Sequence, residues 1–324
     1  MESDRTQHRR ARARSSRLRP LLYTALASAV IVGGTAAGTA YVKAQAHADD
    51  GPVPSSATPS ASAPASEEGS VEPAVEPSAP SVDRDALLAG AMASVTVEDG
   101  ADVAVSVFDP DSGDSAGYGE GSFDTASIVK VDILATLLLQ AQDADRHLTA
   151  QERTYATAMI ENSDNDSATA LWTAIGEADG LDAANKRFGL TGTAGGDGAL
   201  WGLTQTTAAD QLTLLRQVFG DDSKLSAASR TYLQGLMSRI AEDQHWGVSA
   251  AATDPGTGWA LKNGWLARSS TGLWDINSIG RVTVDGHDYL VAALSHGNTT
   301  KAKGISLVES AAEAAVSAFG TSGD

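Results

Sequence analysis

Cysteine is absent from the 324 residues. That excludes disulfides, a thiolate nucleophile, a cysteine-ligated metal and a lipidated N-terminal cysteine. Histidine is sparse: positions 8, 47, 147, 245, 287 and 296 are scattered without metal-ligand spacing. The chain is therefore expected to use no metal and no other cofactor. Positive charge is also scarce. The formal net charge is −18, and residues 1–20 carry seven arginines against Glu2 and Asp4, leaving about −23 on the rest. A body that acidic repels phosphate backbones, so nucleic acid is not an expected partner. Lysine accounts for only seven of the 23 basic residues, which makes each lysine worth placing.

The chain divides by composition. Residues 1–20 read as a basic cytoplasmic leader. Residues 21–42, "LLYTALASAVIVGGTAAGTAYV", carry no charge and are long enough to span a bilayer as a signal anchor or to serve as a signal-peptide core. The positive flank predicts that everything after it lies outside the cytoplasm, either secreted or held by one N-terminal helix. Residues 43–82 are Pro/Ser/Ala-rich and acidic over most of their length, with too little apolar surface to fold, and read as a disordered linker. Residues 83–324 suffice for one large domain.

Within that domain, strands are expected at both ends and helices in the middle. A helix is predicted at 83–94. "DVAVSVFDP" alternates like a strand, and "SAGYGEG" can pair with it across Asp109–Asp114. Thr149 and Glu152 form a capping box, followed by helical "SATALWTAIG" and "GLDAANKRFG". Thr207 and Asp210 open another helix that Gly220 stops, and a further helix covers 226–240. Strands return in "GTGWALKNG", "LWDINSIGRVTV" and "HDYLVAALSHG", the last two joined at Asp285-Gly286. A helix at 302–319 closes the chain. The pattern predicts an α+β fold: one antiparallel sheet built from N- and C-terminal segments, covered by the first and last helices, with an all-helical insert as a second lobe. A site is expected between the lobes.

"ASIVKVDILATLLL", from Ala126, sets Lys130 in a helix apolar almost all round, with Asp132 the only other charge. A buried ammonium must be paired or lose its proton; a bland alternative is a lysine that snorkels to the surface. Ser127 stands one turn earlier on the same face, and a desolvated lysine can serve as base to a serine. Two further stretches complete a pattern: Ser163-Asp164-Asn165, placed at the end of the capped helix, and Lys262-Asn263-Gly264, on the first returning strand. Their order and spacing resemble the S-x-x-K, S-D-N and K-T-G signature of class A β-lactamases and penicillin-binding proteins. Phe123, four residues before the serine, also fits. The resemblance spans about 83–324. A rival, "GDSAG" around Ser115, matches a nucleophile elbow but falls in a turn between strands with no helix after it.

The resemblance implies Ser127 as nucleophile, Lys130 as its base and Ser163 as proton relay to the leaving nitrogen. It implies an oxyanion hole from the backbone N–H groups of Ser127 and Trp265. It implies substrate contacts from Asn165, Lys262, Asn263 and Gly264, with Asp164 structural. The implied partner is a small-molecule β-lactam or a peptidoglycan stem peptide. Two departures matter. The loop "GLTGTAGGDGALWGL" has no glutamate to activate the deacylating water; its only carboxylate is Asp197. Glu161 is a second carboxylate near the motif, but its helical position argues against it. Asn263 replaces the hydroxyl residue of K-T-G. The expected activity is a serine hydrolase that acylates readily and deacylates slowly. The alternatives are a D-Ala-D-Ala peptidase or transpeptidase and a non-catalytic wall- or ligand-binding module on the same fold.

Overall fold

The computed structural model describes residues 82–254 and 256–320. The basic leader, the apolar segment 21–42 and nearly all of the linker 43–82 lie outside the described residues.

The sheet takes strands from both ends of the domain. Five antiparallel strands run in the order β2 (Ser115–Tyr118), β1 (Asp102–Phe108), β7 (His287–Asn298), β6 (Trp274–Val284), β5 (Trp259–Ala267). β7 joins the N-terminal hairpin to the C-terminal meander: Val105 pairs with Ala293, while Ser278 pairs with the same Ala293 from the other side. Ser115 opens β2 opposite Phe108, inside a hairpin. The turn at Asp285-Gly286 has both residues at positive φ, 51° and 89°, as a two-residue hairpin requires.

One face of the sheet is covered by α1 (Arg84–Met92) and α8 (Lys301–Gly320). Their buried Leu88, Val308, Ala311, Ala312 and Ala315 pack with Val105, Leu261, Ile276 and Val291 of the strands. The other face packs against the helical lobe: α2 (Val129–Asp143), α3 (Ala150–Glu161), α4 (Asn165–Ile175), α5 (Glu177–Phe188), α6 (Ala208–Phe219) and α7 (Ala227–Met237). Two short strands, β3 (Phe123–Asp124) and β4 (Gln205–Thr206), pair beside the site. Among the described residues no helix is long and apolar enough to cross a membrane.

The axis of the lobe is α2. Ile133, Leu134, Leu137 and Leu139 are all buried, and each such side chain contributes about 1.5–3 kcal/mol by leaving water. The capping box forms as the sequence predicts: Thr149 Oγ1 accepts from Glu152 N at 3.1 Å, and Glu152 answers on Thr149 N at 2.7 Å. The 226–240 helix is shorter than expected, ending at Met237. The Ser-Asp-Asn stretch is not the end of α3. It is the link into α4, where Asp164 caps the helix by accepting from Ser167 N at 2.7 Å. Two 3-10 segments, 242–244 and 247–251, precede β5.

Candidate active site

Ser127 sits in a single 3-10 turn, Ala126–Ile128, that leads directly into α2. Ala126 holds a positive φ of 47°, and Ser163 one of 55°. Such conformations cost of order 1–3 kcal/mol at a non-glycine residue. Both strained residues flank the same cluster of side chains.

Lys130 is fully buried and does not snorkel. Its Nζ lies 3.0 Å from Ser127 Oγ, 2.7 Å from the Ser163 carbonyl oxygen, 3.1 Å from Ser163 Oγ and 2.8 Å from Asn165 Oδ1. Burial pushes its pKa down to about 7, against the opposing pull of Asp164. A neutral amine has two N–H groups and one lone pair. The two shortest contacts, to Ser163 O and Asn165 Oδ1, can take the N–H groups, which leaves the lone pair for Ser127.

Ser163 stands between two lysines. Lys262 Nζ donates to its Oγ at 3.1 Å, opposite Lys130. Lys262 is itself fully buried; burial, then the neighbouring Lys130, lowers its pKa well below that of a free lysine. Its remaining contacts are Asn263 O at 3.0 Å and Gln244 Oε1 at 3.4 Å. The Lys262 amine is thus beside Ser163 as expected, with contacts to Asn263 and Gln244 as well.

Gly264 explains how β5 and the Ser127 turn meet. A Cβ at this position would lie 2.7 Å from Thr125 O and 2.9 Å from both Ser127 N and Ile128 N. Only glycine lets β5 run this close to the Ser127 turn. The approach brings the backbone of Gly264 against the Ser127 amide. The Trp265 ring packs 5.9 Å from the Trp246 ring, with Lys301 Nζ 4.2 Å above it.

Asn263 departs from the sequence expectation. Its side chain is buried, its Nδ2 donates to Gln244 O at 2.8 Å and Trp246 O at 3.0 Å, and its Oδ1 accepts from Ser278 Oγ at 2.6 Å. The amide is fully engaged in tying the 3-10 segments to the sheet, so no donor is left for a substrate. Glu161 pairs with Arg239 at 2.9 Å, away from the serine. Asp197 is exposed in its loop, and its carboxylate bonds none of Ser127, Lys130 or Ser163.

A model described as the beta-lactamase enzyme family matches residues 140–319, more than half of the chain. The chain belongs to the beta-lactamase enzyme family. The matched span holds Ser163, Asn165 and Lys262; Ser127 and Lys130 precede it. Solved β-lactamase-type structures share the fold. PBP-A superposes with a TM-score of 0.62 at 21% identity, covering 72% of this chain and 96% of that one. A β-lactamase from Xanthomonas campestris gives 0.55 at 21%, covering 71% and 95%. A mutant class A β-lactamase of the last common ancestor of Gram-negative bacteria gives 0.58 at 19%, covering 74% and 100%. No curated protein matches.

This β-lactamase-family site also contains a residue that sequence reasoning missed. Trp201 sits in a 3-10 turn, Trp201–Leu203, of the glycine-rich loop. Its ring lies 4.9 Å from Lys130 Nζ, and its Nε1 donates to Thr169 Oγ1 of α4 at 3.1 Å. An aromatic side chain therefore covers the Lys130 amine on the side of the loop that lacks a glutamate. A lone tryptophan among glycines was the available signal.

Proposed function

We propose that this class A β-lactamase-like serine hydrolase forms an acyl-enzyme on Ser127 with β-lactams or related amides and releases it slowly. The observation that carries the reading is the buried Lys130 amine 3.0 Å from Ser127 Oγ. Lys130 takes the Ser127 proton as Oγ attacks the carbonyl carbon. The oxyanion is met by the N–H groups of Ser127 and Trp265. The C–N bond breaks, and the proton passes through Ser163 to the leaving nitrogen. A serine ester remains.

Hydrolysis of that ester needs a water and a base. Among the described residues no carboxylate side chain bonds Lys130 or Ser127, and Trp201 covers the amine with an apolar ring. Loss of a general base costs about 10²–10⁴-fold, which supports a long-lived intermediate. One variant of PBP-A is described as an acyl-enzyme complex with penicillin G, and the shared fold supports that ligand class here. A second reading is a D-Ala-D-Ala peptidase or transpeptidase; the missing base suits the transpeptidase, in which an amine rather than water resolves the ester. The basic leader and uncharged segment 21–42 support a location outside the cytoplasm, with residues 43–82 as a tether.

Incubation with fluorescent penicillin, followed by intact mass over time, tests the reading. The expected result is a single covalent adduct that persists for many minutes and is absent in Ser127→Ala. No adduct and no turnover of a chromogenic cephalosporin would favour a binding module.

A further inference from the structure

The register of β6 against β7 slips at one place. Trp274 pairs with Asn298 and Ile276 with Ser295, so Asp275 alone opposes two residues, His296 and Gly297. Gly297 takes a φ of 76° there, and a Cβ on it would lie 2.5 Å from Gly100 O. A bulge of this kind re-aims the side chains around it. Here it borders a cavity of about 390 Å³, lined by both glycines and by Asp124, Gln205, Arg268, Asp275 and His296. The cavity adjoins β3, which ends three residues before Ser127. None of Ser127, Lys130 or Ser163 lines it.

Most of the charged and amide groups in its wall are matched. Asp124 accepts from Arg268 and from Gln205, and Gln205 Oε1 accepts from Ser122 Oγ at 2.9 Å. His296 packs on Phe123, ring centroids 5.1 Å apart, with its Nε2 3.6 Å from Asp102. Asp275 is the exception. It is only 5% exposed, yet its carboxylate makes no hydrogen bond among the described residues. Arg268 Nε lies 3.9 Å away, beyond hydrogen-bond reach, and that guanidinium is already held by Asp124. With a pKa of about 6, Asp275 carries its charge at pH 7.5. A buried charge without hydrogen bonds is costly to keep.

The missing complement is a cation with hydrogens to give. Asp275 offers one negative charge, so that cation is monovalent. The space is of the size that small organic ligands occupy, far more than a bare ion fills. A primary ammonium puts one positive charge behind three N–H donors. Asp124 neutralises the neighbouring Arg268, which would otherwise repel such a guest.

We propose that the bulge cavity beside β3 binds the primary ammonium group of a small organic amine, with Asp275 as its anchor.

Saturation-transfer NMR on the full chain, with n-butylammonium chloride and n-butanol as probes at pH 7.5 and fixed ionic strength, tests this. The expected result is saturable binding of n-butylammonium and none of n-butanol. Asp275→Asn should weaken the binding by about tenfold or more. Ser270→Trp, at an exposed position in the cavity wall, should block it and keeps the test open should the first variant fail to fold. Equal binding of both probes, or n-butylammonium affinity unchanged in either variant, overturns the proposal. Penicillin labelling is not part of the readout, so failure here leaves the acylation reading standing.

Discussion

At Lys130 the chemistry depends on one proton. A lysine in water binds it until pH 10.5, whereas burial brings this one to about 7. In the proposed mechanism, acylation requires the free amine. The labelling rate should therefore rise about tenfold per pH unit below 7 and level off above it. Lys130→Arg, which cannot release its proton, should lose about 10²–10⁴-fold at every pH. Stopped-flow labelling from pH 5 to 9 measures both; a flat wild-type profile would remove Lys130 as the base. The Ser127–Lys130 pair was legible because two residues three apart on a helix must share a face. The fate of Asn263 was not. Sequence gives the alternation of a strand, but not which neighbour will claim an amide. Ser278 and the carbonyls of residues 244 and 246 did so only once β6 and the 3-10 segments had folded against β5.

At the scale of elements, the β5–β6 hairpin is pinned by charge to β3, just before the Ser127 turn. Arg268, just past β5, pairs with Asp124 of β3 and lies 3.9 Å from Asp275 of β6. Asp275 is buried, and desolvation, then Asp124, raise its pKa to about 6 despite Arg268 and His296. The folded state thus binds this proton more tightly than the unfolded chain, whose carboxyl titrates near 4. Asp275 favours folding at low pH, and that contribution is lost as pH climbs from about 4 to 6. Asp275→Asn should flatten stability across that window and raise it by about 1–3 kcal/mol at pH 7.5. Urea denaturation at pH 4, 6 and 7.5 provides the check; destabilisation at pH 7.5 would show that the ion pair with Arg268 dominates. Capped helices and the Asp-Gly hairpin were readable from sequence because their signals are local. β3 and β4, two residues each, have no local signature and exist because the helical lobe brings them together.

At the scale of the whole molecule, the described residues that position the site belong to one folded domain. The described residues contain both hydrophobic clusters, one around α2 and one under α8. A chain trimmed to residues 83–324 should keep the melting temperature and the penicillin-labelling rate of the full-length protein within experimental error. A drop in either would give the first 82 residues a part in the fold. The acidic character of this domain, 33 carboxylates against 15 lysines and arginines, was evident from composition alone. The crossing of its chain was inferred from strands at both ends.

That crossing sets a timetable for folding. β7 is the third strand in space and nearly the last in sequence, and it alone joins β1 to β6. Until residue 298 emerges from the ribosome, the N-terminal hairpin has no sheet to join and α8 has no floor. The sheet must therefore wait for β7, whereas the helical lobe, contiguous from Val129 to Met237, is complete about fifty residues earlier in the chain.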